Sequence, residues 1–103
     1  MYQTQIPMEV LQRLQRKESI HIVDVREQHE WNSGHIYGAT HIPLGELPER
    51  VHELDQAKET ILVCHSGVRS AMACEFLAES GYKVINMLGG MLHWPGDFEY
   101  GQR

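Results

Sequence analysis

Residues 61–70, Ile61-Leu62-Val63-Cys64-His65-Ser66-Gly67-Val68-Arg69-Ser70, constrain this chain more than any other stretch. An apolar run ends on a cysteine, a short polar loop follows, and Ala71 to Ser80 then fits a helix that opens directly after Arg69. A strand that runs through a loop into a helix gathers backbone N–H groups and aims them at whatever occupies the loop's centre. Here that centre is the Cys64 sulfur. A thiol ringed by amide dipoles, with a guanidinium nearby, ionises more readily than a free one, and the thiolate is the nucleophile. The residues leave a second reading open, in which Cys64 is a small buried hydrophobe at a strand end.

The flanking sequence repeats the alternation. Tyr2 to Ile6 reads as a short edge strand. Pro7 suits a first helical turn, and Met8, Val10, Leu11 and Leu14 make an apolar stripe through about Arg16. Ile20 to Val25 is a β-branched run and reads as a parallel strand covered on both faces. Its end carries Asp24 and Arg26, where an open α/β sheet places site residues. Glu27 to Asn32 fits a short helix that Ser33-Gly34 stops, Thr40 to Ile42 a short strand, and Leu47 to Leu54 one or two helical turns. Thr60 to Cys64 is the central strand and Lys83 to Met87 the last one. Gly81 suits a helix C-cap, Gly89-Gly90 a turn, and Met91 to Trp94 a short helix that Pro95 halts. Residues 96–103 read as a loosely held tail. Strands alternating with helices predict an α/β fold, a mainly parallel sheet of about five strands with helices on both faces.

Composition narrows the function. With 103 residues, 42% of them hydrophobic and 22% charged, the chain has material for one core and one domain. A net charge of −5 offers no basic surface for nucleic acid or an anionic membrane. No apolar run reaches the roughly 18 residues of a spanning helix, and the amino terminus lacks the pattern of a secretory signal. Two cysteines, Cys64 and Cys74, make no disulfide framework, so the expected compartment is the cytoplasm. His29, His35 and His41 fit no metal-ligand spacing, nor do Cys64 and Cys74 form a zinc pair, so neither metal nor cofactor is expected.

Three motifs in register then carry a resemblance. Cys64-His65-Ser66-Gly67-Val68-Arg69-Ser70 resembles the active-site loop of the rhodanese family, a cysteine followed by four residues and an arginine. Val23-Asp24-Val25-Arg26 and the run from Gly34-His35-Ile36 to Pro43 resemble its upstream signatures. Gly81-Tyr82, Val84, Leu88-Gly89-Gly90-Met91 and Trp94 resemble its carboxy-terminal one. Together these cover about residues 4 to 95, and the resemblance is to the single-domain rhodaneses, with no second copy of the fold expected before it.

The resemblance implies a sulfurtransferase. Cys64 would take the sulfane sulfur of a donor such as thiosulfate or a persulfide and pass it to cyanide, a thiol or a protein, with ping-pong kinetics. The amides of His65 through Ser70 would stabilise the charge on the sulfur, and Gly67 would let the loop curl. Asp24 and Arg26 would brace the loop. Arg69 has two readings, attraction of an anionic donor or a structural pair with Asp24 or Glu30. Ser66 and Ser70 can bond the sulfur or cap the helix, with capping the expected role of Ser70. Cys74, on an apolar face with Ala71 and Leu77, is expected to pack rather than resolve a disulfide. Cysteine phosphatases and arsenate reductases resemble this loop but hold one more residue between Cys and Arg, which favours sulfur here. The other competing readings are a non-catalytic interaction domain and a sulfur carrier serving a protein partner.

Overall fold

The computed structural model describes residues 2–101. Its elements are β1 (Gln3–Gln5), α1 (Pro7–Gln15), β2 (Ile20–Asp24), α2 (Gln28–Asn32), β3 (Thr40–His41), α3 (Leu47–Arg50), β4 (Glu59–Val63), α4 (Val68–Glu79) and β5 (Val84–Met87). Single 3-10 turns flank α3, and another spans Gly90–His93. The strands form one five-stranded sheet in the order β1-β5-β4-β2-β3, and every pairing is parallel. The predicted α/β class and five-stranded parallel sheet are therefore present.

The alternation of side chains along the inner strands divides the core into two layers. Ile22, Ile61, Val63 and Ile85 meet Val10 of α1, Trp31 of α2, and Met91 and Trp94 of the last turn. Val23, Leu62, Cys64 and Val84 meet Leu47 and the Ala73, Cys74 and Leu77 face of α4. From β4 the chain steps to β5 through α4; from β2 it steps the other way, to β3, through α2 on the opposite face. The order thus reverses between β2 and β4. The carboxyl ends of those two strands, Asp24 beside Val63, frame the crevice where open α/β sheets bind ligands. Arg26 and Cys64 follow those ends.

Three expectations need correction. Met8 is half exposed, because the buried stripe of α1 runs through Pro7 and Val10 with Leu11 and Leu14 beside it. Helix α4 opens at Val68, three residues before the expected Ala71, for a reason the site explains. The tail is tied down as far as it is described. Glu99 forms an antiparallel bridge with His35, with both N–H···O distances 2.8 Å, and the Gly101 N–H reaches the Asn32 carbonyl at 3.1 Å. His35 carries this contact from the interior, stacked on Trp31 with 3.5 Å between ring centroids. Residues 102 and 103 of the expected tail lie outside the described residues.

The last turn locks the loop between β4 and α4. The Met91 N–H donates to the Cys64 carbonyl at 2.8 Å, and the Leu92 N–H to the His65 carbonyl at 3.0 Å. This close approach needs Gly90, whose φ is +59° and whose missing side chain would collide with both carbonyls. Gly90→Ala is expected to cost roughly 2–4 kcal/mol through clash and strained backbone. In a thermal melt that lowers Tm by on the order of 10–20 °C. An unchanged Tm would contradict the packing of turn against loop.

Candidate functional site

The loop after β4 is built around one atom. Gly67, in the left-handed region at φ +105°, turns its N–H onto the Cys64 sulfur at 3.0 Å. The Ser70 N–H reaches the same sulfur at 3.3 Å. Gly67 is the N-cap of α4, which makes Ser70 its third residue. Sulfur therefore takes the first-turn amide that a capping serine or aspartate side chain would ordinarily accept. This is why the helix opens at Val68: the sulfur satisfies the turn that the sequence pattern assigned to the loop.

Ser70 does not cap. Its hydroxyl lies 3.3 Å from the Cys64 sulfur and donates to Asn86 Oδ1 at 2.5 Å. The Asn86 amide in turn donates to the Gly67 carbonyl at 3.2 Å. Asn86 is almost fully buried on β5, and sequence reasoning missed it. The available signal was a lone polar residue between Ile85 and Met87 in an otherwise apolar strand. A hydroxyl owns one proton. It can go to Asn86 Oδ1 or, once Cys64 is ionised, to the sulfur, whereas the two amides cannot turn away and are the fixed donors to a thiolate.

These contacts oppose each other electrostatically. Burial pushes the Cys64 thiol up, but hydrogen bonds from the Ser70 hydroxyl and amide and from the Gly67 and Ser66 amides outweigh it, leaving the thiol below its ordinary value. Cys74 lies in the same core layer with no such donors. Burial first, then the nearby Cys64 charge, push it up to about 12. The two free cysteines are thus chemically distinct.

The charged side chains expected at the site are all engaged. Arg26 is buried and grips buried Asp24 through Nε and Nη2, at 3.0 and 2.9 Å, while Nη2 also donates to the Gly34 carbonyl at 2.7 Å. This pair fastens the segment after α2 to the end of β2 and makes no hydrogen bond to the sulfur. Arg69 forms a two-pronged pair with Glu30 of α2 at 2.7 and 2.8 Å, so the ion-pair reading of that arginine is the observed one. The pair holds the Glu30 carboxyl down to about 2 from an ordinary 4.5. Its contribution to stability is complete above the ordinary value and fades as pH falls toward the lower one. His65, Ser66 and Val68 are exposed at the mouth of the loop. Among the described residues no cluster of three or more His, Cys, Asp or Glu side chains is placed to hold a metal, and no helix is long and apolar enough to cross a membrane.

Comparison with known proteins gives this geometry a family. The rhodanese-like domain model matches residues 7–97. The chain belongs to the rhodanese-like family. It is 40% identical over 86 residues to "Putative sulfurtransferase YtwF" of Bacillus subtilis (strain 168), covering 84% of each chain. It is 45% identical over 89 residues to "Putative sulfur carrier protein YrkF" of the same organism, covering 85% of this chain and 48%, about half, of that protein. The solved rhodanese-like domain protein of Staphylococcus aureus superposes with a TM-score of 0.90 at 31% identity, covering 97% of this chain and 99% of that one. Two relatives of this rhodanese-like domain are thus named for sulfur transfer and sulfur carriage.

The hydrogen bonds at the sulfur make a kinetic prediction. Alkylation of Cys64 by iodoacetamide should follow a pH profile with its midpoint below that of a free thiol, and Cys74 should stay unmodified at neutral pH. Ser70→Ala should slow the Cys64 reaction at pH 7 by up to about ten-fold, since it removes one of the donors to the thiolate. A profile at or above the free-thiol range would contradict this account of the loop.

Proposed function

We propose that this rhodanese-like domain is a sulfurtransferase whose nucleophile is Cys64. The observation that carries the reading is the sulfur itself, held by the Gly67 and Ser70 amides at the amino end of α4 with its thiol below the ordinary value. In the first half-reaction the Cys64 thiolate attacks the outer sulfur of a sulfane donor. A Cys64–S–S⁻ persulfide forms, the donor's S–S bond breaks, and its remainder leaves with the electron pair, as sulfite from thiosulfate. In the second, a thiophile such as cyanide or a thiolate attacks the terminal sulfur, takes it, and returns the thiolate. Charge never leaves the region of the loop, so fixed amides that need no reorganisation stabilise every state.

Two further features support the reading over phosphoryl chemistry. Four residues separate Cys64 from Arg69, one fewer than in the related phosphatase loops. Cys64 is only 1% exposed, which suits attack on a slim terminal sulfur better than on a tetrahedral oxyanion. A second reading rests on the relative named as a sulfur carrier: the same persulfide is delivered to a protein partner instead of a small thiophile. Both readings take the matched region as one working domain, with Asp24 and Arg26 as braces. Both need a reducing compartment for two free cysteines, which is the cytoplasm.

Intact mass spectrometry after incubation with a sulfane donor, excess removed, tests the first half-reaction. The expected result is a gain of one sulfur atom, reversed by cyanide, absent in Cys64→Ala and retained in Cys74→Ala. Failure to load sulfur from thiosulfate, cysteine persulfide and a persulfidated peptide alike would overturn the proposal.

A further inference from the structure

Loop amides can hold an anion, but a small dianion gains most from a free cation where it binds, and this site has little to spare. Arg26 is spent on Asp24 and Arg69 on Glu30. The other described arginines, Arg13, Arg16 and Arg50, are also in ion pairs. Lys17, Lys58 and Lys83 lie by the amino ends of β2, β4 and β5, at the far end of the sheet from Cys64. Among the described residues, histidines aside, no unpaired cation stands at the carboxyl end of the sheet. The mouth is apolar instead. Val68, which follows Gly67, is 68% exposed; Leu92, bonded through its backbone to His65, is 61% exposed; Leu88, against Gly67, is also exposed. An overall charge of −5 adds long-range repulsion of anions.

We propose that Glu30 sets the donor class of this site: by occupying Arg69 it disfavours thiosulfate and leaves an apolar mouth for an organic hydropersulfide, R–S–SH. The proposal rests on the sulfurtransferase reading above and adds a selectivity to it. The Cys64 thiolate attacks the terminal sulfur, the donor's S–S bond breaks, and R–S⁻ departs with the pair, the hydropersulfide's proton remaining on the enzyme persulfide or passing to the leaving thiolate. The R group, not a charged sulfonate, meets Val68 and Leu92. Glu30 acts through Arg69 and touches no reacting atom; it is a positioning residue. Glu30 also accepts the Glu27 N–H at 2.9 Å at the start of α2. The conservative Glu30→Gln keeps that acceptor while removing the charge that holds Arg69.

Single-turnover sulfur loading, followed by intact mass, compares three probes: thiosulfate, cysteine persulfide and a persulfidated peptide, the last two distinguishing a small from a protein-borne source. The wild type is expected to load from at least one persulfide about a hundred-fold faster, per unit concentration, than from thiosulfate. In Glu30→Gln the ratio of thiosulfate to persulfide loading should rise about ten-fold, as a freed guanidinium becomes available to the dianion. The gain should vanish in the double variant Glu30→Gln/Arg69→Met. A Tm close to wild type checks that the variant is folded, and a merely structural role for Glu30 would not change the ratio. Equal wild-type loading from all three donors, or an unchanged ratio in folded Glu30→Gln, would overturn the selectivity while leaving sulfur transfer standing. No loading from any donor would overturn both.

Discussion

Helix α4 begins on a sulfur. The first amides of any α-helix lack partners inside the helix, and most chains meet them with a side-chain oxygen. Here the Gly67 and Ser70 N–H groups meet the Cys64 sulfur, so one set of contacts starts the helix and lowers the thiol. The rest of the loop follows from holding that contact. Gly67 needs the left-handed conformation to bring its N–H round. Asn86 ties the Gly67 carbonyl and the Ser70 hydroxyl to β5, and Gly90 lets the last turn close on the Cys64 and His65 carbonyls. The lowered thiol and the folding constraint are the same atom.

Around that core contact the fold manages charge by pairing it. The buried Asp24–Arg26 pair is bidentate and further satisfied by the Gly34 carbonyl, the condition under which two charges can leave water without a large penalty. Removing one partner would strand the other, at a cost of roughly 3–5 kcal/mol. The Glu30–Arg69 pair is more exposed and worth less to stability, and it occupies the guanidinium that follows the loop. Pairing thus braces one side of the crevice and neutralises the other.

The elements were legible where a period or a breaker marked them. Ile20 to Val25 and Thr60 to Cys64 are β-branched or apolar runs between turn residues, and both are inner strands with boundaries within about a residue of the pattern. The cysteine loop was legible as a succession of strand, loop and helix, although those residues alone left Cys64 equally readable as a small buried hydrophobe at a strand end. What the pattern hid was non-local. The start of α4 at Val68 depends on a sulfur acting as cap, which no propensity encodes. Asn86 belongs to the site only because β5 lies beside β4. The tail's grip on His35 pairs residues 64 positions apart. Met8 was misread because three of four stripe positions fit the period while its own side chain falls at the edge of the buried face.

The central claim is that backbone amides hold the Cys64 sulfur and lower its thiol, and amide NMR reads those groups one by one. In a pH titration of uniformly 15N-labelled protein, the Ser66, Gly67 and Ser70 cross-peaks should move together with a single midpoint below the ordinary thiol value of 9.0. The transition should be absent in Cys64→Ser. Cross-peaks that stay still, or that move with a midpoint at or above that value, would contradict the account.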